Sequence, residues 1–252
     1  SNSILFTPSF NIQDNSSASR VSGLNLSNTL TPISSAEYKN SSDASAINLS
    51  GSLLYRHRFS LPGRTFSINL EGSNNHRNSE STLFSLNTNY DPLNPYIDTL
   101  DQTGDVLSNN SRIFANLVYT EPIGENSMLQ FNSFTFFNRN KSDRETFIFD
   151  SGQNLYNIID SLTSNKFVND NLTTRGGVSY RYNAEFYNLT ADLLYQRTQL
   201  NGTQTFPKDV ITKNTFHAML PALRMHFRFP EGRHARLSYT VNTQIPSVEQ
   251  LQ

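Results

Sequence analysis

The 252-residue chain contains no Cys and no Trp, and only 16% of its residues are charged. The absence of Cys excludes disulfide scaffolds, Cys-based zinc sites, iron–sulfur centres and thiol nucleophiles. The 20 Lys and Arg residues are balanced by 21 Asp and Glu, so the chain lacks the excess of basic residues that would indicate a nucleic-acid partner. No run of 18 or more apolar residues occurs, which excludes a membrane-spanning helix.

Hydrophobic residues are also scarce, at 36% of the chain, and uncharged polar residues, mainly Asn and Ser, make up the difference. Disordered segments are usually poor in aromatic residues and high in net charge. This chain instead has 18 Phe, 11 Tyr and a formal charge of −1. We therefore expect it to fold.

Apolar and polar residues alternate in segments of about ten residues, which is typical of strands with one polar and one apolar face. From Ile47 to Leu61 the odd positions are mostly apolar and the even positions mostly polar. After the turn pair Pro62-Gly63 the alternation resumes, which predicts a hairpin. Further strands are predicted at 4–13, 112–121, 128–140, 174–183, 186–199, 223–229 and 235–242, and no segment has the caps and period of a helix.

The strand predicted at 128–140 has an irregular apolar pattern. Leu129 and Phe131 share one phase, whereas Phe134 and Phe136 share the other. A β-bulge near Asn132 would account for such a slip.

Short and long connections alternate along the chain. Short turns at 62–63, 122–127, 183–185 and 230–233 alternate with long polar links at 14–45, 74–111, 140–173 and 200–213. Bacterial outer-membrane barrels have this asymmetry of short periplasmic turns and long extracellular loops. The predicted fold is therefore all-β: an antiparallel up-and-down meander of about nine strands, part of a larger transmembrane β-barrel.

Three segments resemble outer-membrane β-barrel proteins of the TonB-dependent receptor type, most closely their Bacteroidetes branch. They are the 47–72 hairpin, the 117–145 stretch and the 220–252 end, and the similarity spans nearly the whole chain. The most specific part is Arg236-Leu237-Ser238-Tyr239 followed by Pro246-Ser247 and Gln250-Leu251. Family members often have a basic residue before that Pro, where this chain has Ile245.

The resemblance implies a plugged barrel of about 22 strands. Residues 1–252 would then be a partial barrel domain without the plug, the TonB-contact segment or the closing strands. It also implies a bacterial outer-membrane location, uptake of a small-molecule, glycan or peptide ligand, and outer-membrane lipid, the plug and a TonB-type energy transducer as partners. Neither enzymatic activity nor a cofactor is expected.

Basic residues on the polar strand faces are the candidate substrate-binding residues. On the barrel interpretation they point into the lumen, since Arg facing lipid costs about 2–4 kcal/mol near the midplane. They could bind an anionic substrate, or they could pair with carboxylates of the plug or of neighbours such as Glu71 and Asp192. The set is Arg56, Arg58, Arg181, Arg224, His226, Arg228 and Arg236.

Other candidate sites are weaker. The acidic residues of 90–105 could hold Ca²⁺, but their spacing fits no EF-hand and favours a solvated loop. Tyr90, Tyr96 and Tyr156 could stack on sugars or pack within loops. The five His residues have no metal-ligand spacing, so no metal site is expected.

Two other functional classes remain open. One is an outer-membrane barrel that does not transport and acts in assembly or surface interaction. The other is a soluble all-β ligand-binding module whose apolar faces pack together as in a sandwich. A small independent barrel would require closure between 4–13 and 234–243.

Overall fold

The computed structural model describes residues 1–244 as one antiparallel β-sheet. The segments Pro246-Ser247 and Gln250-Leu251, which contribute to the resemblance, lie outside the described residues. Ten strands form the sheet: β1 (Asn2–Leu26), β2 (Pro32–Arg58), β3 (Thr65–Asn89), β4 (Tyr96–Pro122), β5 (Ser127–Asp150), β6 (Leu155–Ile159), β7 (Asn165–Asn183), β8 (Tyr187–Phe206), β9 (Val210–Arg228) and β10 (His234–Thr240).

The sheet is an up-and-down meander, as predicted. Its order is β1-β2-β3-β4-β5-β7-β8-β9-β10, and the short strand β6 pairs with the end of β5 beyond the start of β7. The tenth strand arises from β6. Within residues 1–244 the only helical element is a 3₁₀ turn at Pro230–Gly232, and none of the helices found there could cross a membrane.

The short turns lie where the sequence places them. They connect β2 to β3, β4 to β5, β7 to β8 and β9 to β10, and all four are at the same end of the sheet, called here the turn end. In the first turn Gly63 has a φ of +87°, a conformation that glycine adopts without steric cost. The opposite end is called the loop end.

The prediction of long polar loops is wrong, because most of those residues extend the strands. β1 to β4 have 25 or 27 residues each, and the loop-end connections shrink to 27–31, 90–95 and 207–209, plus the β6 region. On β3 the apolar alternation stops at Gly72, yet pairing with β4 continues to Asn89. Backbone hydrogen bonds to β2 and β4 hold the polar half of β3 in the sheet. A strand segment that is polar on both faces has no face to bury, so it needs no alternation of apolar residues.

The β-bulge predicted near Asn132 is absent. Asn132 pairs with Val118 on β4 and with Gly177 on β7, and the register continues without a shift on both sides. Phe134 and Phe136 therefore lie on the opposite face from Phe131. The alternation is irregular because that strand carries aromatic residues on both faces.

The two faces of the sheet differ in polarity and burial. Near the turn end, the outer face presents exposed apolar side chains such as Leu53, Ile113 and Leu193. The buried polar strand residues belong to the other face, which we call the inner face. Thr173 and Ser179 are examples, with 5% and 3% exposure. Since side chains converge on the concave side of a curved sheet, this burial marks the polar face as concave.

The apolar band of the outer face runs obliquely to the strands. On β2 it reaches Ile47, whose register neighbour on β9, six strands along, is Ile211. On β9 the band ends at Met219, eight residues nearer the turn end. The edge of the band therefore shifts by eight residues of about 3.3 Å along the strands while it crosses six strand spacings of about 4.8 Å. This shift corresponds to a strand tilt of about 40° from the normal to the band. Strands of membrane barrels tilt by about 35–45°.

The sheet is open. Within residues 1–244, β1 and β10 are its edges and do not pair with each other, so the closure required by a small independent barrel is not formed. All ten strands belong to one sheet, and no second sheet covers the apolar face in the described part of the chain. This arrangement differs from the sandwich that a soluble module would need.

Candidate functional site on the inner face

The strand register places all seven predicted basic residues on the inner face, in two groups. Arg56 and Arg58 lie on β2, and Arg56 is opposite Ser67 of β3. The other five lie on β7, β9 and β10, near the turn end. Arg181 and Arg224 share one register row across Thr190. The second group is completed by His226, Arg228 and Arg236.

Some of these cations already have partners on the same wall. The Arg224 guanidinium binds the Asp192 carboxylate, with Nη2 and Oδ2 2.5 Å apart. Arg228 donates to the carbonyl of Ala184 and to Asn188 Oδ1, both at 3.1 Å. Neighbour pairing therefore occurs at Asp192, whereas Glu71, the other carboxylate considered, accepts a hydrogen bond from Asn69.

Four of the remaining basic residues have unpaired guanidinium groups in the described part of the chain. No side-chain hydrogen bond or ion pair within residues 1–244 involves Arg56, Arg58, Arg181 or Arg236. The His226 ring stacks on that of His234, with 5.5 Å between centroids. Four guanidinium groups are thus available to a ligand or to another segment of the protein.

A second group of inner-face residues was missed by the sequence analysis. Phe114 and Phe136 lie on one register row with Glu71. They help to line a cavity of about 490 Å³ whose other walls are Ser, Thr and Gly residues of β1 to β3 together with two charged side chains, Arg112 and Glu71. Because Phe134 and Phe136 break the apolar alternation of β5, the sequence pattern does not reveal this cavity.

Aromatic and basic groups are in direct contact beside the cavity. The rings of Phe114 and Phe134 meet edge to face with centroids 5.2 Å apart. The Arg175 guanidinium carbon lies 5.5 Å from the Phe134 centroid, and the same group donates to Gln196 Oε1. An Arg over an aromatic face is attracted by the ring quadrupole. This part of the inner wall therefore has apolar ring surface next to positive charge.

The loop end is held by carboxylate contacts. The carboxylate of Asp160 accepts hydrogen bonds from Thr163, Leu162 and Gln102. These bonds, led by that of the Thr163 hydroxyl, lower the pKa of Asp160 below its ordinary value. Lys166 contacts Glu145 at 2.5 Å, and this hydrogen bond is the main cause that raises the pKa of Lys166.

The loop residues considered for calcium and sugar binding have other surroundings. Asp98, Asp101 and Asp105 lie on β4, and residues 1–244 contain no group of three or more His, Asp or Glu placed to hold a metal ion. The Tyr156 hydroxyl donates to Asp101, and its ring packs on Phe149 with centroids 5.2 Å apart. These are the contacts of a packing residue.

Aromatic side chains form a chain of contacts at the turn end of the sheet. Tyr119 lies between Phe59 and Phe131, with centroid distances of 6.2 and 6.3 Å. Tyr187 lies in the same way between Tyr182 and Phe227, at 5.7 and 6.2 Å. Membrane barrels carry aromatic girdles where their apolar band meets water.

These features together define a class of protein. An oblique apolar band on the outer face, an aromatic girdle at its turn end and a polar inner face describe the wall of a membrane-spanning β-barrel. A family model described as "Outer membrane protein beta-barrel family" matches residues 57–252. The chain belongs to this family, and its location is the bacterial outer membrane. No curated protein and no solved structure matches the chain.

Proposed function

We propose that this chain forms part of the barrel of an outer-membrane receptor that binds and takes up a substrate in the manner of TonB-dependent receptors. One observation carries the proposal: the inner face is polar and carries the predicted basic residues, whereas the outer face carries an apolar band near the turn end. A wall of this kind separates lipid from an aqueous passage. Arg56, Arg58, Arg181 and Arg236 supply charge that is not neutralised within residues 1–244.

In this proposal the ligand enters from the loop end. It would first meet the polar hairpins, then the cavity beside Phe114 and Phe136, and finally the basic groups near the turn end. A plug domain and a periplasmic energy transducer of the TonB type would be the partners that open the passage, and outer-membrane lipid would cover the apolar band. The proposal assigns no chemical reaction and no cofactor to the chain.

Uptake by whole cells tests the proposal. A strain without the gene and a complemented strain would be given four labelled probes: a ferric chelate, a neutral oligosaccharide, a peptide and cobalamin. Uptake of at least one probe that is lost on deletion, and is abolished by a protonophore, is the expected result. Uptake that resists the protonophore would contradict energy coupling. Equal uptake of all four probes by both strains would contradict the receptor function.

A second candidate is a surface-interaction barrel that does not transport. The hairpins extend far beyond the apolar band: on β3 the 16 residues from Asn74 to Asn89 span about 50 Å along the strand. Such projecting walls expose a large area to other molecules at the cell surface. Loss of cell adhesion or of complex formation in the deletion strain, with unchanged uptake, would favour this candidate.

A further inference from the structure

Asparagine occupies the same register position on six neighbouring strands. The six side chains lie in one row across the inner face, from β1 to β7, and we call this row the asparagine belt. Asparagine accounts for 31 of the 252 residues, or about one position in eight, so composition alone does not produce six consecutive matches. The belt consists of Asn11, Asn48, Asn75, Asn110, Asn140 and Asn169.

Most of the belt amides retain unused hydrogen-bonding capacity. Asn75 donates to the side-chain oxygen of Asn48, and the other four side chains make no side-chain hydrogen bond within residues 1–244. Each primary amide offers two N–H donors and a carbonyl acceptor. Neighbouring strands are about 4.8 Å apart, so the belt repeats an uncharged donor–acceptor pair at that interval.

The next strand leaves room for the last amide of the belt. On β8 the register neighbour of Asn169 is Gly202. A Cβ atom at Gly202 would lie 2.9 Å from Asn169 Oδ1, closer than such contacts normally are. The belt therefore ends against a glycine that keeps the Asn169 amide unobstructed.

The aromatic cavity lies directly below the belt. The next row toward the turn end contains Ser50 and Arg112, and the row after that contains Phe114 and Phe136. All four line the cavity of about 490 Å³. A ligand that spans the belt and the cavity would meet the belt amides on one side. In the cavity it would meet hydroxyl groups, apolar ring surface and the oppositely charged Arg112 and Glu71.

On the basis of the uptake function proposed above, we propose that the belt and the cavity bind an uncharged polyhydroxylated ligand, namely a neutral oligosaccharide. Adjacent sugar hydroxyls match the donor–acceptor pair of a primary amide, and the C–H face of a sugar ring packs on an aromatic side chain. An anionic ligand would instead favour the unpaired arginines, such as Arg56, which lies eight residues nearer the turn end than Asn48 on the same strand. The arginine that lines the cavity, Arg112, is accompanied there by the Glu71 carboxylate, so the cavity offers no net positive charge.

The chain offers a closely matched pair of variants to test this. Asn75 and Asn110 belong to the belt, whereas Asn74 and Asn109, the residues just before them, point to the outer face. On the outer face Asn74 donates to Asn109 at 2.9 Å, so each double variant removes two amides and disrupts one amide–amide hydrogen bond. The outer-face variant also removes the contacts of Asn74 and Asn109 with Ser111, so it is the more disruptive of the two to the sheet itself. N74A/N109A is therefore the control for N75A/N110A.

Binding would be measured with the whole protein purified from its native outer membrane in detergent. An array of neutral and anionic oligosaccharides identifies the probe, and calorimetric titration of the best neutral oligosaccharide then compares the variants. We expect N75A/N110A to weaken binding at least tenfold and N74A/N109A to change it less than twofold, because net hydrogen-bond contributions to the ligand are lost only in the former.

Failure of this inference can be distinguished from failure of the proposed uptake function. Binding of anionic oligosaccharides only, binding of no neutral oligosaccharide, or equal affinity of N75A/N110A and the unmodified protein would each overturn the oligosaccharide assignment. The uptake function would still stand if any of the four cell-uptake probes enters by the energised route. Belt-dependent binding without any uptake would keep the assignment and overturn the transport function.

Discussion

Arg224 on β9 and Asp192 on β8 form an ion pair across adjacent strands of the inner face, with 2.5 Å between Nη2 and Oδ2. The Asp192 side chain is only 11% exposed, whereas that of Arg224 is 54% exposed. The arginine therefore covers and neutralises a nearly buried carboxylate. This contact gives Arg224 a structural role that the unpaired arginines of the inner face lack.

Substitution of Arg224 is expected to reduce stability. R224Q leaves the Asp192 carboxylate nearly buried without its ionic partner, at a cost of about 1–3 kcal/mol. The double variant R224Q/D192N should recover most of the loss, and R56Q should cost little because Arg56 has no acidic partner in the described residues. Urea unfolding in lipid vesicles, followed by circular dichroism, measures all three. Equal midpoints for R224Q and R56Q would contradict the prediction.

The unpaired arginines provide the test for an anionic substrate. If the basic inner face binds such a ligand, R56Q/R181Q should weaken its binding by tenfold or more, while leaving the folded protein intact. Charge-assisted hydrogen bonds are stronger than neutral ones, which sets this magnitude. Titration with the anionic oligosaccharides of the array provides the measurement, and unchanged affinity would assign these arginines to contacts with other parts of the protein.

Adjacent residues on β2 distinguish the two faces of the sheet. Leu53 belongs to the apolar band of the outer face, and Ser52 lines the inner-face cavity. L53R should destabilise the inserted barrel by about 2–4 kcal/mol, as expected for Arg facing lipid near the midplane, and S52R should cost much less. Urea titration of the refolded protein in vesicles would give both values. A larger effect of S52R would reverse the assignment of the faces.

Two strand glycines should respond differently to alanine. A Cβ atom at Gly177 would lie 2.7 Å from the Cα atom of Leu194, within the neighbouring backbone, whereas one at Gly72 would have no atom within 4 Å. G177A should therefore force β7 and β8 apart and cost about 1–3 kcal/mol. G72A should be nearly neutral. Urea unfolding in vesicles compares the stability of the two variants. Similar unfolding midpoints would contradict the close approach of β7 and β8 at Gly177.

The hydrogen bonds to the Asp160 carboxylate predict that low pH destabilises the loop end near β6. Its folded-state pKa lies below the ordinary value of 3.8, so the carboxylate stabilises this region at pH values above that. The contribution is lost as the pH falls through the lowered folded pKa. Hydrogen exchange of residues 155–164 should be constant from pH 7 to 5, after correction for intrinsic rates, and should rise below about pH 4. In D160N these residues should exchange faster at neutral pH than in the unmodified protein, and the exchange should no longer depend on pH in this range.

The amphipathic part of the fold could be predicted from the sequence, whereas its polar part could not. Pro62-Gly63 and the alternation around it locate the first turn correctly because one side of each strand must be apolar. Beyond Gly72 no such requirement applies, so the sequence predicts a loop where the loop-end half of β3 lies. Backbone pairing, which the side chains do not reveal, extends it to Asn89.

The candidate site was predicted in part for a related reason. Arg56 and Arg224 share the inner face because both follow the alternation of an amphipathic strand. Phe136 breaks that pattern, since an inner wall can also carry aromatic residues, and a bulge-based interpretation of the sequence assigns it to the wrong face. The asparagine belt depends on the register of six strands at once, and periodicity within single strands contains no information about it.

The extension of the strands to the loop end has a mechanical consequence. Strands that stay hydrogen-bonded to both neighbours, as β2 and β3 do over 25 residues, extend the sheet as one stiff wall instead of a set of independent loops. A wall of this kind cannot fold over a bound molecule as a flexible loop can. The spacing of its strands is fixed by the backbone, so different side chains on the same scaffold would alter what adheres to the wall while leaving the width of the entrance unchanged.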